Sequence, residues 1–316
     1  MKAAILKKPG YFTIEERDIP AIGPNEILVK AKVCGICTSE LDMWEGKAIG
    51  LEFPRFIGHE VAGIVENVGN NVRQIKPGDR VAIYAEGEGY AEYIAVPQEY
   101  AIKLNPIIKF EHALGEPIAC SVNGVRKLKL EIQESVCIVG CGFMGLIMLQ
   151  VFKSAGAGIL IAVDTRDSIL NIAEQLGATH ALNPLHSDVI KEIKKITGNR
   201  GVDVGIEAAG TQQTIDMTTQ IVRMEGKLEI FGFHQGEPRK IDWGFWNWMA
   251  FQIINGHTRS RHIYIEGMRI GLDLMTAGKL NMAPLVTHTF PLNDINEGFR
   301  TASQKDDSFV KGVITF

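Results

Sequence analysis

The sequence predicts an α/β protein of two domains, a barrel-like all-β unit and a doubly wound parallel sheet. Three observations carry that expectation. The first hundred residues read as short alternating segments broken by turns. A glycine turn, Gly140-x-Gly142-x-x-Gly145, joins a buried strand to a helix, and from there to Phe231 strands and helices alternate.

Taken in order, the β segments expected in the first domain are Lys2 to Lys7, Glu26 to Val33, Glu60 to Val68, Arg80 to Tyr84 and Gly89 to Val96. Pro24-Asn25 and Pro77-Gly78-Asp79-Arg80 are turn signals between them, and a closed, barrel-like unit is the natural way to remove their edges. From Glu111 the spacing turns helical, with Ala113, Leu114, Ile118 and Ala119 on one face.

Ser135 to Val139 then reads as a strand entering the glycine turn, and Leu146 to Ala155 as the helix leaving it. The glycines let the backbone approach a pyrophosphate whose charge meets the helix N-terminus, so Gly140, Gly142, Phe143, Met144 and Gly145 are candidate cofactor contacts. The next strand, Ile159 to Val163, ends in Asp164, where a carboxylate accepts hydrogen bonds from an adenosine ribose and repels a 2′-phosphate. NAD is therefore expected over NADP, with Arg166 pulling the other way. Helices at Ser168 to Leu176, Ser187 to Thr197 and Thr211 to Ile221 alternate with strands at Ala181 to Asn183, Val202 to Glu207 and Lys227 to Phe231. The stretch from Gly201 to Gly210 is expected to end at the cofactor, because ligands collect at the carboxyl ends of such strands. After about Asn255 the chain returns to the first domain, with Gly267 to Thr276 an amphipathic helix.

Composition narrows the function. The 316 residues carry a net charge of -4 and are 46% apolar, which excludes the basic balance of a nucleic-acid partner. Val136 to Leu149 is the longest apolar run, short of the roughly 20 residues that span a bilayer, and three glycines interrupt it. The N-terminus lacks a signal-peptide core and the 5 cysteines are scattered, so reduced thiols and a cytoplasmic location are expected, without a membrane partner.

The chemistry concentrates in Gly58-His59-Glu60 and in the upstream Cys34-Gly-Ile-Cys37-Thr-Ser39, because thiolate and imidazole together suit zinc. The spacing Gly58-His59-Glu60, two residues, Gly63, five residues, Gly69, then Val72 resembles the signature of the zinc-containing alcohol dehydrogenases of the medium-chain dehydrogenase/reductase superfamily. The resemblance runs from Met1-Lys-Ala-Ala to Val310-Lys-Gly-Val-Ile-Thr-Phe316, with the sorbitol and polyol dehydrogenases nearest.

That resemblance implies a GroES-like β-barrel catalytic domain over residues 1–121 and 258–316, and a Rossmann NAD-binding domain over residues 122–257. It implies one catalytic Zn2+ held by Cys37, His59 and Glu116, the Glu-Pro pair at 116 matching the polyol branch, with Cys120 the rival ligand. Glu60 is a nearby or alternately bound carboxylate, and Glu40 a partner that orients the imidazole. Ser39 matches the proton-relay hydroxyl, and Asp42 stands where several relatives continue the relay with a histidine. Lys311 matches the basic residue that meets the pyrophosphate. Many relatives carry a lobe of four cysteines binding a second, structural zinc; here Gly78-Asp-Arg-Val81 is followed after a few residues by Gly89-Tyr-Ala-Glu-Tyr93, which leaves it no room.

Trp44 and Glu45, with Arg55, Glu86, Glu88 and Glu116, supply polar partners for a polyhydroxy substrate, so oxidation of a secondary alcohol in a polyol, cyclitol or sugar acid is expected. A simple secondary alcohol dehydrogenase, a zinc-independent quinone or enone reductase and a non-catalytic NAD(H)-binding protein are the competing readings. A homodimer through an edge strand at Lys227 to Phe231, or a homotetramer, is implied by the family. Trp243, Trp246 and Trp248 suit core, pocket or subunit interface alike.

Overall fold

The structure, a computed structural model, describes residues 1–48 and 50–316. Strands β1 (Lys2–Lys8) and β2 (Tyr11–Glu16) form an antiparallel pair, a hairpin whose second strand the sequence pattern did not mark. Then come β3 (Glu26–Gly35), the helix α1 (Thr38–Trp44), β4 (Glu60–Val68), β5 (Arg80–Tyr84), β6 (Tyr93–Pro97) and β7 (Ala101–Lys103). Helix α2 (Gly115–Lys127) follows.

The middle of the chain alternates as β8 (Val136–Val139), α3 (Phe143–Ala155), β9 (Leu160–Val163), α4 (Asp167–Leu176), β10 (His180–Leu182), α5 (Val189–Ile196), β11 (Val202–Glu207), α6 (Gln212–Ile221) and β12 (Val222–Ile230). A short aromatic helix α7 (Trp243–Trp248) and β13 (Gln252–Asn255) complete that unit. The return consists of α8 (Arg261–Thr276), β14 (His288–Pro291), α9 (Ile295–Gln304) and β15 (Gly312–Thr315).

Two units result. The first holds residues 1–119, 260–278 and 282–316; the second holds 120–259 and the strip 279–281. The strip belongs to the second unit because the Gln150 amide clasps it, accepting from Asn281 N at 2.7 Å and donating to Asn281 O at 3.2 Å.

In the first unit β3 is the spine, because ten residues of extended chain reach three partners: β4, β6 and the C-terminal β15, all antiparallel. The sheet order is β14-β15-β3-β4-β5-β7. Its glycines are spatial requirements. A Cβ at Gly63 would stand 2.2 Å from Lys30 O and force β3 and β4 apart, and one at Gly69 would stand 2.2 Å from Gly23 O in the turn that leads into β3.

The second unit is a parallel sheet in the order β10-β9-β8-β11-β12-β13, the doubly wound arrangement in which two halves run outward from β8. Its order corrects the reading of Lys227 to Phe231 as an edge strand. Lys227 to Phe231 lies in and just beyond β12, which is flanked on both sides, and the sheet ends at β13. The three tryptophans divide: Trp246 packs into the core, while Trp243 and Trp248 remain 66% and 76% exposed. No helix among the described residues is long and apolar enough to cross a membrane.

One residue of this sheet breaks the usual rule for charge. Glu229 in β12 is 0% exposed, and neither carboxylate oxygen has a hydrogen-bond partner. Gly124 and Gly256 leave it space; a Cβ at either would come within 3.0 Å of its Oε1. Burial pushes its pKa up to about 8, opposed by the charge of Lys127. In the unfolded chain the group ionises near 4.5, so protonation favours the fold and the stability associated with it is lost as pH rises from about 4.5 to about 8. At pH 7 the loss is about 3 kcal/mol. Denaturant unfolding of Glu229→Gln against the parent chain should show a stability gap that grows in the variant's favour over that range and levels off above it; a gap independent of pH would contradict a neutral buried acid.

Candidate active site

Cys37 ends the turn after β3 and caps α1, and Glu60 opens β4 with His59 just before it. Because β3 and β4 pair with Cys34 opposite Val61, the two sequence-distant motifs are brought side by side by strand register. Among the described residues, ligand atoms of Cys37, His59 and Glu60 form the one group of three His, Cys, Asp or Glu donors within 4.8 Å of one another. Glu116 stands just outside it, its Oε2 4.0 Å from His59 Nε2. Glu60, expected at one remove, is thus inside the tight group, with Glu116 at its margin. Cys120 lies one helical turn beyond Glu116 on α2 and is not in the group.

Glu40 organises this cluster from beneath. Its Oε1 accepts from Gly58 N and from His59 Nδ1, both at 2.7 Å, and its Oε2 accepts from the Tyr90 hydroxyl at 2.6 Å. With Nδ1 donating to a carboxylate, Nε2 is the nitrogen turned toward the other donors. Burial alone would raise the Glu40 pKa, but the charge of His59 and the three hydrogen bonds hold it below the ordinary carboxylate range. For His59, burial lowers the pKa while Glu40 and Cys37 override it and push it well above the ordinary value. A site that so strongly favours positive charge on the imidazole also favours a cation in its place.

Glu60 is 1% exposed and faces Lys311, whose Nζ lies 2.8 Å and 2.7 Å from its two oxygens and also donates to Ile36 O at 2.9 Å. The 2.7 Å contact is an ion pair without good hydrogen-bond direction, so Glu60 Oε2 has no directed donor. Gly35 makes the pair possible, since a Cβ there would stand 1.9 Å from that same oxygen. Lys311, expected at a pyrophosphate, is buried against Glu60, and burial, which lowers its pKa, is outweighed by Glu60 and Cys37.

A thiolate, an imidazole nitrogen and carboxylates, one of them with an undirected oxygen, fit zinc by donor chemistry. Ser39 Oγ donates to Cys37 Sγ at 3.3 Å, which sets a hydroxyl beside the donor group. Asp42 makes no side-chain hydrogen bond to Ser39 among the described residues. Its pKa is raised by burial and lies in the fields of Lys47, Glu45 and Lys305. Trp44 packs on Phe299, and Glu45 is engaged by Ser303 and Lys47, so neither stands with the donors.

The glycine turn has the form a dinucleotide needs. Gly140 has φ +92°, and a Cβ there would meet Ala209 at 2.7 Å; one at Gly145 would meet Gly140 O at 2.7 Å. A Cβ at Gly142 would meet nothing nearer than Arg166 Nη2 at 3.9 Å, so the turn faces open space. Phe143 and Met144 begin α3, whose N-terminus has neither a side-chain cap nor an acidic residue in its first turn, leaving amide donors for an anion. Asp164 Oδ1 accepts from Arg166 N at 3.0 Å and lies 3.5 Å from Arg166 Nε. Sequence reasoning missed Glu207, at the end of β11. It is 0% exposed and accepts from Ala209 N, Gly210 N and the Thr214 hydroxyl, while pairing with His234 at 2.7 Å. It thereby stiffens the loop that abuts Gly140.

Residues 144–264 match the zinc-binding dehydrogenase family and residues 23–106 match the alcohol dehydrogenase GroES-like domain. The chain is 29% identical to sorbitol dehydrogenase from Bacillus subtilis over 99% of this chain and 97% of that protein. It is 30% identical to L-threonine 3-dehydrogenase from Pyrococcus horikoshii over 92% of this chain and 91% of that protein. The crystal structure of 2R,3R-butanediol dehydrogenase from Bacillus subtilis superposes with a TM-score of 0.89 at 28% identity, covering 100% of this chain and 99% of the other.

If Glu40 fixes the imidazole as described, Glu40→Gln should weaken zinc binding by roughly 10- to 100-fold in a competition with a chromophoric chelator. An unchanged affinity would show that the imidazole is held by other means.

Proposed function

Since the chain belongs to the zinc-containing alcohol dehydrogenases of the medium-chain dehydrogenase/reductase superfamily, we propose that it oxidises a secondary hydroxyl of a polyol, cyclitol or sugar acid to a ketone, using one zinc ion and NAD. The observation that carries this is the convergence of Cys37, His59 and Glu60 within 4.8 Å with Glu116 at their margin. A zinc-independent reductase has no use for a half-buried thiol and imidazole so paired. The sorbitol and butanediol dehydrogenases among the similar proteins support the polyol reading.

Cys37 and His59 are the ligands we assign first, with Glu116 as the carboxylate partner; the charge of Glu60 is already balanced by Lys311. Zinc held there supplies Lewis-acid polarisation of the substrate hydroxyl, and NAD supplies the hydride acceptor. The remaining tasks fall to side chains. Ser39, beside Cys37, is positioned to take the hydroxyl proton. Glu60 and Lys311 together keep the floor of the site electrically neutral, which offsets part of the cost of burying either charge. The uncapped N-terminus of α3 offers its amides to the pyrophosphate, and Asp164 offers its carboxylate to the ribose. A homodimer joined along the exposed edge of β13 is the assembly we favour.

Cys37→Ser should lower kcat by more than about 1000-fold, because the Lewis acid contributes several kcal/mol at the transition state; turnover that survives in this variant, or in protein stripped of metal, would point to the zinc-independent reductase. With both cofactors compared, NAD should be used at least about 10-fold better than NADP, and Asp164→Ala should narrow the gap. A parent enzyme that prefers NADP would remove the role given to Asp164.

A further inference from the structure

The first unit contains a recess of about 700 Å³, a volume suited to a small-molecule ligand. Its walls come from the turn after β5, the chain before His59, β6, Tyr100 and the start of α8, all within the first unit. Tyr84, on its wall, is the ladder partner of Glu60, which puts both side chains on one face of the sheet. The same ring lies where burial, then Glu86, Glu116, Arg261 and His59 all bear on its hydroxyl. Tyr84 thereby places this wall of the recess on the sheet face that carries Glu60.

One wall is prearranged. Arg261 pairs with Glu86 and lies over the Tyr100 ring at 5.6 Å, while Tyr100 stands edge-on to Tyr84 with centroids 5.6 Å apart. The lining also carries Arg55 and Glu88, exposed side chains with no ion pair or side-chain hydrogen bond among the described residues. Glu88 is held there at φ +64°, a conformation that disfavours any residue with a Cβ.

We propose that this recess receives the far end of an uncharged polyol, with Arg55 donating to its hydroxyls, Glu88 accepting from them and Tyr84 and Tyr100 presenting ring faces. This rests on the dehydrogenase reading and specifies its substrate class. A hydroxyl both donates and accepts, so a lining of mixed charge satisfies it wherever the chain turns. A phosphate ester does not fit. Glu52, Glu86 and Glu88 outnumber Arg55 and Arg261, and Glu86 already neutralises Arg261, so a dianion would meet net negative charge. An anionic sugar acid is disfavoured for the same reason.

The test compares sorbitol, sorbitol 6-phosphate and butane-2,3-diol with zinc-loaded full-length protein and NAD. In the parent enzyme kcat/KM for sorbitol should exceed that for its phosphate by about 10-fold or more, and Glu88→Lys should narrow that preference. In Arg55→Ala and in Glu88→Gln the ratio of kcat/KM for sorbitol to that for the diol should fall by about 10-fold, through KM rather than kcat. Both sites are exposed, so the fold should tolerate either change. A preference for the phosphate, or a ratio unmoved in both variants, would overturn the inference while leaving the dehydrogenase intact. If no alcohol is turned over, the dehydrogenase reading fails instead, and calorimetric titration of sorbitol still decides the recess. Binding weakened by Arg55→Ala supports it; no binding, or equal binding by parent and variant, overturns it.

Discussion

Everything at the site depends on one buried carboxylate having enough donors. Glu40 is 2% exposed and yet stays ionised, because Gly58 N, His59 Nδ1 and the Tyr90 hydroxyl converge on it. Glu229 is the control that the same molecule supplies: equally buried, with no donor, and pushed the other way to about 8. Charge-assisted hydrogen bonds are worth about 1.5–3 kcal/mol each, so three of them offset a desolvation penalty that stays uncompensated where there are none. The consequence of Glu40's charge is directional: it fixes one nitrogen of His59 and leaves the other for chemistry.

A second buried pair joins the ends of the chain to the same place. β15 lies antiparallel to β3 with Val313 opposite Gly35, and this register carries Lys311, two residues earlier, to Ile36 O and Glu60. Gly35 is required twice over, since a side chain there would collide with Glu60 and press on Lys311. The charge partner of Glu60 is therefore in place only when β15 is paired with β3. Long-range pairing of this kind is slow to form but rigid once made.

What was legible in the sequence was whatever local geometry dictates. The glycines in and just after β4 and those of the dinucleotide turn announced close backbone approaches, and the fold puts carbonyl oxygens or side-chain atoms within 3 Å of the missing Cβ at Gly63, Gly69, Gly140 and Gly145. Alternation from β8 to β12 was equally plain, because strand and helix periods differ. What was not legible depends on partners far away in the chain. Nothing near Glu60 indicates Lys311, nothing near Glu40 indicates Tyr90, and Glu229 looks like any polar residue in a strand. The sheet edge was misplaced because α7 is short and aromatic-rich and β13 has four residues, without a period to reveal that the sheet continues past β12. Arg55, Glu86 and Glu88 were recognised as polar candidates, but their meeting in one recess, apart from Glu45, is a property of the folded turn after β5.

The account stands on a single claim, that one thiolate, one imidazole and carboxylate oxygen hold one metal ion. X-ray absorption at the zinc edge on the zinc-loaded protein tests it directly. The expected spectrum has one zinc per chain with a single sulfur at about 2.3 Å and nitrogen or oxygen neighbours at about 2.0–2.2 Å. Two sulfurs per zinc would bring Cys120 into the shell in place of a carboxylate, and a sulfur-free shell would remove Cys37 and contradict the account.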